Sequence, residues 1–258
     1  MHSKIVAGII IFLLFSCTGG HSHQNQPVTP LPIIAPAIDY TTISSIPLPD
    51  GFKRMECESN SFAGWLRTVN LKKDNKVYLY DGSLKPNQSA QFAVLDISVG
   101  NKNLQQCADA IMRLRAEYLF SMAAYTKISF TDNEGGQYNF DAPYTKAHLL
   151  TYLERVFGMC GSASLSKQLK QVKMEDMQPG DVLIKGGFPG HAVIVMDMAE
   201  NNDGEKIYLL AQSYMPAQDI HVLKNPTDEG MSPWYRLTDE KDIYTPEYYF
   251  TNEQLKRW

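Results

Sequence analysis

The stretch Gly180 to Gln212, GDVLIKGGFPGHAVIVMDMAENNDGEKIYLLAQ, constrains this chain more than any other. A glycine-rich approach (Gly186, Gly187, Gly190, with Pro189) leads to His191, which opens the apolar run Ala192 to Met196. Asn201, Asn202, Asp203 and Gly204 then supply turn chemistry, and the chain returns as a second apolar run, Ile207 to Tyr214. Two such runs around a turn predict an antiparallel hairpin with one polar residue at the mouth of its core. Counting pairs outward from a turn at Asn201 to Gly204 sets Glu200 opposite Glu205, Val193 opposite Gln212 and His191 opposite Tyr214. His191 and Gln212 then share a face as diagonal neighbours, within reach of each other's side chains. A shift of one residue would present Ser213 instead.

The beginning of the chain carries an export pattern. Lys4 precedes an apolar stretch, Ile5 to Phe15, which is too short to span a bilayer permanently. It ends at Leu14-Phe15-Ser16-Cys17, which resembles a bacterial lipobox. That resemblance implies a signal peptide over residues 1–16, lipidation of Cys17, and a membrane as a partner of the mature protein. Acyl chains on Cys17 would anchor it stably, each buried CH₂ contributing about 0.8 kcal/mol. Residues 17–48, with prolines at 27, 30, 32, 36 and 47, have the composition of an extended tether, leaving residues 49–258 as a single α+β domain.

A net charge of -4 without a long basic run argues against a nucleic-acid partner, because such binding relies on clustered Lys and Arg. With Cys17 assigned to lipid, Cys57, Cys107 and Cys160 form an odd set for an oxidising compartment. A Cys57–Cys160 bridge is compatible with this count, and at least one thiol stays free or pairs outside the chain. Neither metal-ligand spacing nor a phosphate-binding glycine loop occurs, so no cofactor is expected.

Between tether and hairpin, Phe62 to Val69 has helical spacing behind Ser59 or Ser61, and Val77 to Tyr80 and Phe92 to Ile97 read as strands. The longest helix is expected from Leu104 to about Tyr125, capped by Asn103, with Ala110, Ile111, Leu114, Tyr118, Met122 and Tyr125 on its apolar face. Cys107 lies in its first turn, where unpaired N–H groups and the positive end of the helix dipole favour a thiolate. A hairpin is expected at Ile128 to Phe140, a helix at Thr145 to Met159, a short one at Ser162 to Leu169, and a last core strand at Ile220 to Leu223. The tail is dense in aromatics, including Trp234, Tyr235, Tyr244, Tyr248, Tyr249 and Phe250, which suit core packing or the lining of a ligand groove.

A nucleophilic cysteine requires a nearby base, and the base a third group that fixes its tautomer. The order helix-start Cys107, strand-start His191, next-strand Gln212 resembles the NlpC/P60 papain-like cell-wall peptidases. The matching strings are QQCADA at Gln105 to Ala110, PGDVLI at Pro179 to Ile184, GHAVIV at Gly190 to Val195 and LLAQS at Leu209 to Ser213. The resemblance implies an antiparallel sheet packed on a long Cys-bearing helix, with Cys107 as nucleophile, His191 as base and Gln212 as orienter. It further implies a cysteine amidase or endopeptidase acting on peptidoglycan peptides, with backbone N–H groups at the helix start, and Gln105 or Gln106, as oxyanion donors. Where those peptidases usually carry Asp-Cys-Ser-Gly, this chain has Gln-Cys-Ala-Asp.

Longer strings extend the comparison across nearly the whole mature chain. LYDGSLK, AVLDISVG, LQQCADAIMRLRAEYL, GDVLIKGGFPGHAVIVMDMA, LLAQSYMPAQDIHVLKNP and SPWY resemble the bacterial lipoprotein family called domain of unknown function 4846. That places the expected protein in the cell envelope, anchored by lipid to the outer membrane. A non-catalytic binding module on the same scaffold, and an acyl-transfer or lipid-ester enzyme, are the alternative expectations.

Overall fold

The computed structural model of the protein describes residues 40–258. The expected signal peptide, the expected lipidation site Cys17 and the expected tether up to residue 39 lie outside the described residues. Four α-helices, α1 (Phe62–Arg67), α2 (Cys107–Ser121), α3 (Lys146–Met159) and α4 (Ser162–Gln168), accompany a set of short strands. In chain order the strands are β1 (Phe52–Arg54), β2 (Gln91–Val94), β3 (Ser129–Thr131), β4 (Gln137–Asn139), β5 (Lys170–Gln171), β6 (Val182–Lys185) and β7 (His191–Asn201). They continue as β8 (Lys206–Gln212), β9 (His221–Leu223), β10 (Tyr235–Arg236), β11 (Asp242–Tyr244), β12 (Tyr249–Thr251) and β13 (Leu255–Arg257).

One nine-stranded sheet organises them, in the order β2-β9-β8-β7-β6-β13-β5, with β1 added to β7 and β10 to β8. All its pairings are antiparallel. The predicted hairpin, β7–β8, is its centre, and residues 191–199 are buried throughout. They are apolar on both faces because both faces are covered. Ala192, Ile194 and Met196 join the main core with Ile111, Leu114, Leu149, Leu153 and Leu165 of the helices. Val193 and Val195 enter a second core with Leu210, Tyr235, Ile243, Phe250 and Leu255. Burying each such aliphatic side chain contributes about 1.5–3 kcal/mol.

The hairpin register differs from the symmetric count at its far end and agrees with it near His191. Glu200 pairs with Lys206, not Glu205, because the Asn201 side chain accepts the N–H groups of Asp203 and Glu205 and lengthens the loop. Opposite charges then face each other where the symmetric count set two carboxylates together. A bulge between Val195 and Asp197 removes the offset, so that Ile194 pairs with Ala211. The same bulge exchanges the faces of the strand: Met198 lies in the second core and Ala199 in the main one. It also buries Asp197, whose carboxylate binds Arg54 Nε and Arg67 Nε at 2.7 Å each.

Several boundaries shift for identifiable reasons. Helix α2 begins at Cys107 rather than Leu104, because the Gln106 N–H turns back to the Leu104 carbonyl at 2.7 Å and to Asp109 Oδ2 at 3.0 Å. Asn103 therefore caps no helix; its Oδ1 accepts from Ala217 N–H at 2.8 Å. Helix α1 has Ser61 as its cap, with the hydroxyl accepting from Gly64 N–H at 3.1 Å. Val77 to Tyr80 forms only isolated bridges, Tyr78 to Leu84 and Leu79 to Gln218, instead of a strand. The hairpin β3–β4 stands apart as a two-stranded sheet.

Two segments are more integrated than their composition suggests. In the stretch 40–48, Ile43 and Ile46 are fully buried, and the carbonyls of Ile46 and Pro47 accept from Arg54 and Trp234. The aromatic tail supplies β10 to β13, and β13 inserts between β5 and β6 in the main sheet. Ile220 to Leu223 is thus not the last core strand. Among the described residues, no helix is long and apolar enough to cross a membrane.

Candidate active site

Cys107 is the first residue of α2, one position after its N-cap Gln106. The 15-residue helix packs its Ala110, Ile111 and Leu114 side into the main core, which presses its N-terminus toward the start of β7. The backbone N–H groups of Ala108 and Ala192 both bear on the Cys107 sulfur. Ala192 directly follows His191, so the helix start and the strand start meet. Ser213 reinforces the junction, its hydroxyl lying 3.0 Å from the Gln105 carbonyl and 2.8 Å from that of Gln218. This hydroxyl holds the backbone leading to Cys107, while Gln212 turns to the opposite face of β8.

There Gln212 meets the histidine. His191 Nε2 stands 2.8 Å from Gln212 Oε1, and both residues are almost completely buried. Rings pack around the imidazole: Tyr214 at 4.5 Å, Tyr248 at 4.9 Å and Phe250 at 5.9 Å between centroids. Gln212 Nε2 lies 2.8 Å from Glu247 Oε2 and 3.4 Å from His221 Nε2. Glu247 in turn binds Lys85 Nζ at 2.5 Å and Asn87 Nδ2 at 3.0 Å.

The protonation states follow from burial. Burial pushes the Cys107 thiol up to about 11, with the Asp109 charge adding to the effect and the nearby N–H groups opposing it. Desolvation at this helix start thus outweighs the dipole that favours a thiolate. Asp109, buried and with Oδ1 unpartnered, is itself pushed up to about 8. Burial pulls His191 down to about 4, against the upward influence of Gln212 and Glu247, and pulls fully buried His221 to about 4 as well. At neutral pH the pair is a thiol and a neutral imidazole. No hydrogen bond joins Cys107 to His191; they share Tyr214, whose phenol is raised by burial and by the charges of Glu247 and Cys107.

Each glutamine before Cys107 has one end of its amide engaged. Gln105 Oε1 accepts from Arg113 Nη1 at 3.1 Å, and Gln106 Nε2 donates to Asn103 Oδ1 at 3.2 Å. Gln105 Nε2 is buried without a hydrogen-bond partner, so this side chain keeps a free donor two residues before Cys107. Two open grooves, of about 940 Å³ beside Lys173, Lys206 and Arg236 and about 640 Å³ beside Cys57, Arg115 and Trp258, include none of Cys107, His191 and Gln212. Cys57, Cys107 and Cys160 are all free thiols, so Cys57 and Cys160 are not bridged. Among the described residues, no group of three or more His, Cys, Asp and Glu is arranged to hold a metal ion.

Sequence reasoning did not find Glu247, His221, Lys85 or Asn87. His221 opens β9 directly opposite Gln212, and its place between the apolar Ile220 and Val222 was the only local signal for it. Glu247 sits among tail tyrosines, and Lys85 and Asn87 in a polar loop, with nothing local to distinguish them from solvated residues.

The fold is mixed α+β, an antiparallel sheet with four α-helices among the described residues, carrying a cysteine at a helix start and a buried His–Gln pair. The chain belongs to the family described as Domain of unknown function (4846), which matches residues 43–145 and 138–257. No curated protein and no solved structure matches it.

Proposed function

We propose that this protein is a lipid-anchored cysteine hydrolase of the bacterial cell envelope, with a papain-like core of the NlpC/P60 kind, acting on amide bonds of peptidoglycan peptides. The observation that carries the reading is the 2.8 Å contact between His191 Nε2 and Gln212 Oε1, next to a helix start whose cysteine lies against the N–H of Ala192. The reading requires Cys107 and His191 to come within hydrogen-bond reach, about 2.6–3.2 Å, when substrate binds.

In this reading His191 Nδ1, the nitrogen not engaged by Gln212, takes the Cys107 proton as sulfur attacks the amide carbonyl. The N–H groups at the start of α2 receive the developing oxyanion. The imidazolium then gives its proton to the leaving amine as the C–N bond breaks, leaving a thioester on Cys107. Water, deprotonated by His191, adds to the thioester and releases the carboxylic acid with regeneration of the thiol. The resting Cys107 and His191 are uncharged, so ion-pair formation between them is tied to substrate binding rather than stored in the free protein.

The test uses purified protein and isolated peptidoglycan. Release of new amine termini that disappears in Cys107→Ala and His191→Ala supports the hydrolase. The raised thiol and lowered imidazole favour a second reading, a non-catalytic binding module. It requires Cys107→Ala to retain peptidoglycan binding without any bond cleavage in the parent protein.

A further inference from the structure

We propose that Glu247, held in place by Lys85 and Asn87, is a positioning residue that fixes which end of the Gln212 amide faces His191 and hence which imidazole nitrogen carries the proton. The inference rests on the reading of His191 as the base and adds a second layer of residues to it.

The assignment follows from counting donors and acceptors. An ionised carboxylate only accepts hydrogen bonds, so the Gln212 atom 2.8 Å from Glu247 Oε2 must be its NH₂. Glu247 is ionised at neutral pH: burial pushes it up, but Lys85 and Asn87 outweigh that and hold it below the usual carboxylate value. Its own orientation is determined from both sides. Lys85, only 6% exposed, donates to Oε2 at 2.5 Å. Asn87 Oδ1 accepts from Ser89 N–H at 3.0 Å and Ser89 Oγ at 2.6 Å, which turns its Nδ2 toward Glu247 Oε1 at 3.0 Å.

His221 requires the same orientation independently. Its Nδ1 lies 2.9 Å from the Asp219 carbonyl, which can only accept, so the neutral ring carries its proton there. His221 Nε2, 3.4 Å from Gln212 Nε2, is then an acceptor and also needs the NH₂. With both amide hydrogens assigned, Gln212 presents its oxygen to His191. An oxygen acceptor at 2.8 Å requires Nε2–H, and a neutral imidazole then has its lone pair on Nδ1. A Lys85–Glu247 pair with a merely structural role would leave the Gln212 orientation to His221 alone, whose 3.4 Å contact is the longer of the two.

The experiment reads the tautomer directly, by long-range ¹H–¹⁵N correlation spectra of protein carrying ¹⁵N-histidine, with the His191 signals assigned by their loss in His191→Gln. In the native protein at pH 7 the expected result is a protonated Nε2 and a bare Nδ1; the reverse tautomer overturns the proposal. Lys85→Met combined with Glu247→Gln replaces the ion pair by a neutral pair of similar size. The carboxamide introduced by Glu247→Gln can then offer its oxygen to Asn87 and its NH₂ to Gln212, which favours reversal of the Gln212 amide, and the Nδ1–H tautomer should appear beside the native one. A folded double variant that retains the native tautomer alone refutes the role of Glu247. Lys85→Met by itself, with the carboxylate acceptor kept, should retain the native tautomer, and a changed tautomer there moves the role to Lys85. Should the double variant not fold, the native spectrum still decides the direction. None of these spectra requires Cys107 to react, so an inert Cys107 defeats the hydrolase reading without touching this one.

Discussion

His191 and Gln212 meet at 2.8 Å because two departures from a symmetric hairpin cancel: the loop at Asn201 offsets the register by one residue and the bulge after Val195 restores it. Without the bulge, Ser213 would share the face of His191. The contact therefore depends on a backbone irregularity inside the most regular part of the fold.

Gln212→Ala should lower Cys107-dependent hydrolysis about 100-fold, the order of loss that a misplaced catalytic group brings. The variant also leaves His191 Nε2 and a Glu247 oxygen without their buried partner, so the thermal midpoint should fall by a few degrees, and turnover is compared where both proteins are folded. Turnover measured beside the thermal midpoint checks this, and full turnover in the variant would remove Gln212 from the mechanism.

Asp109→Asn should leave Cys107 reactivity unchanged near pH 6 and raise it at pH 9. Below about 8 the buried Asp109 carboxyl is protonated and exerts no charge; above that, its charge adds to the burial that holds the thiol near 11. The amide oxygen introduced there can still accept the Gln106 N–H, so the helix start is retained. Alkylation rates of the two proteins across pH 6–9 make the comparison, and parallel profiles would rule out the coupling.

Stability should pass through a maximum near pH 6.5. His191 and His221 are held near 4 when folded against 6.5 in the open chain, so from 6.5 down to 4 the unfolded state binds more protons and stability falls with acidification. Asp109 acts in the opposite sense, being raised from 3.8 to about 8, so its contribution is lost as pH rises across that range. The two histidines outweigh it below 6.5, and above that Asp109 dominates until Lys146, pulled down to about 8 by burial, begins to oppose it. Urea denaturation between pH 4 and 8 measures the curve. In Asp109→Asn the decline above 6.5 should vanish.

Asp197→Ala should cost about 3–5 kcal/mol, since it strands two partly buried guanidinium groups in the interior. Asp197 has no exposure, while Arg54 and Arg67 are 22% and 15% exposed. Urea unfolding provides the number, and a loss below about 1 kcal/mol would mean that both arginines reach water at little cost.

Local patterns of sequence reach different depths in this fold. The turn residues Asn201 to Gly204, the apolar runs beside them and the spacing of α3 are properties of short segments, and all appear as elements. Composition misled where a few residues carry the packing. Residues 40–48 have the prolines and hydroxyls of a linker, yet Ile43 and Ile46 secure them to the core. The tail reads as aromatic punctuation, yet Leu255 pairs with Leu183 and completes the sheet beside β6.

By itself the sequence determined the central hairpin, the histidine at its mouth, the cysteine near a helix start and the face that Gln212 shares with His191, because turn chemistry and side-chain alternation act over a few residues. Only the tertiary structure decided what surrounds them. Glu247, Lys85, Asn87 and His221 come from separate parts of the chain, and no local period marks residues that meet through long-range packing. Burial is likewise a property of the assembled domain, and it is burial that leaves Cys107 a thiol and His191 a neutral ring.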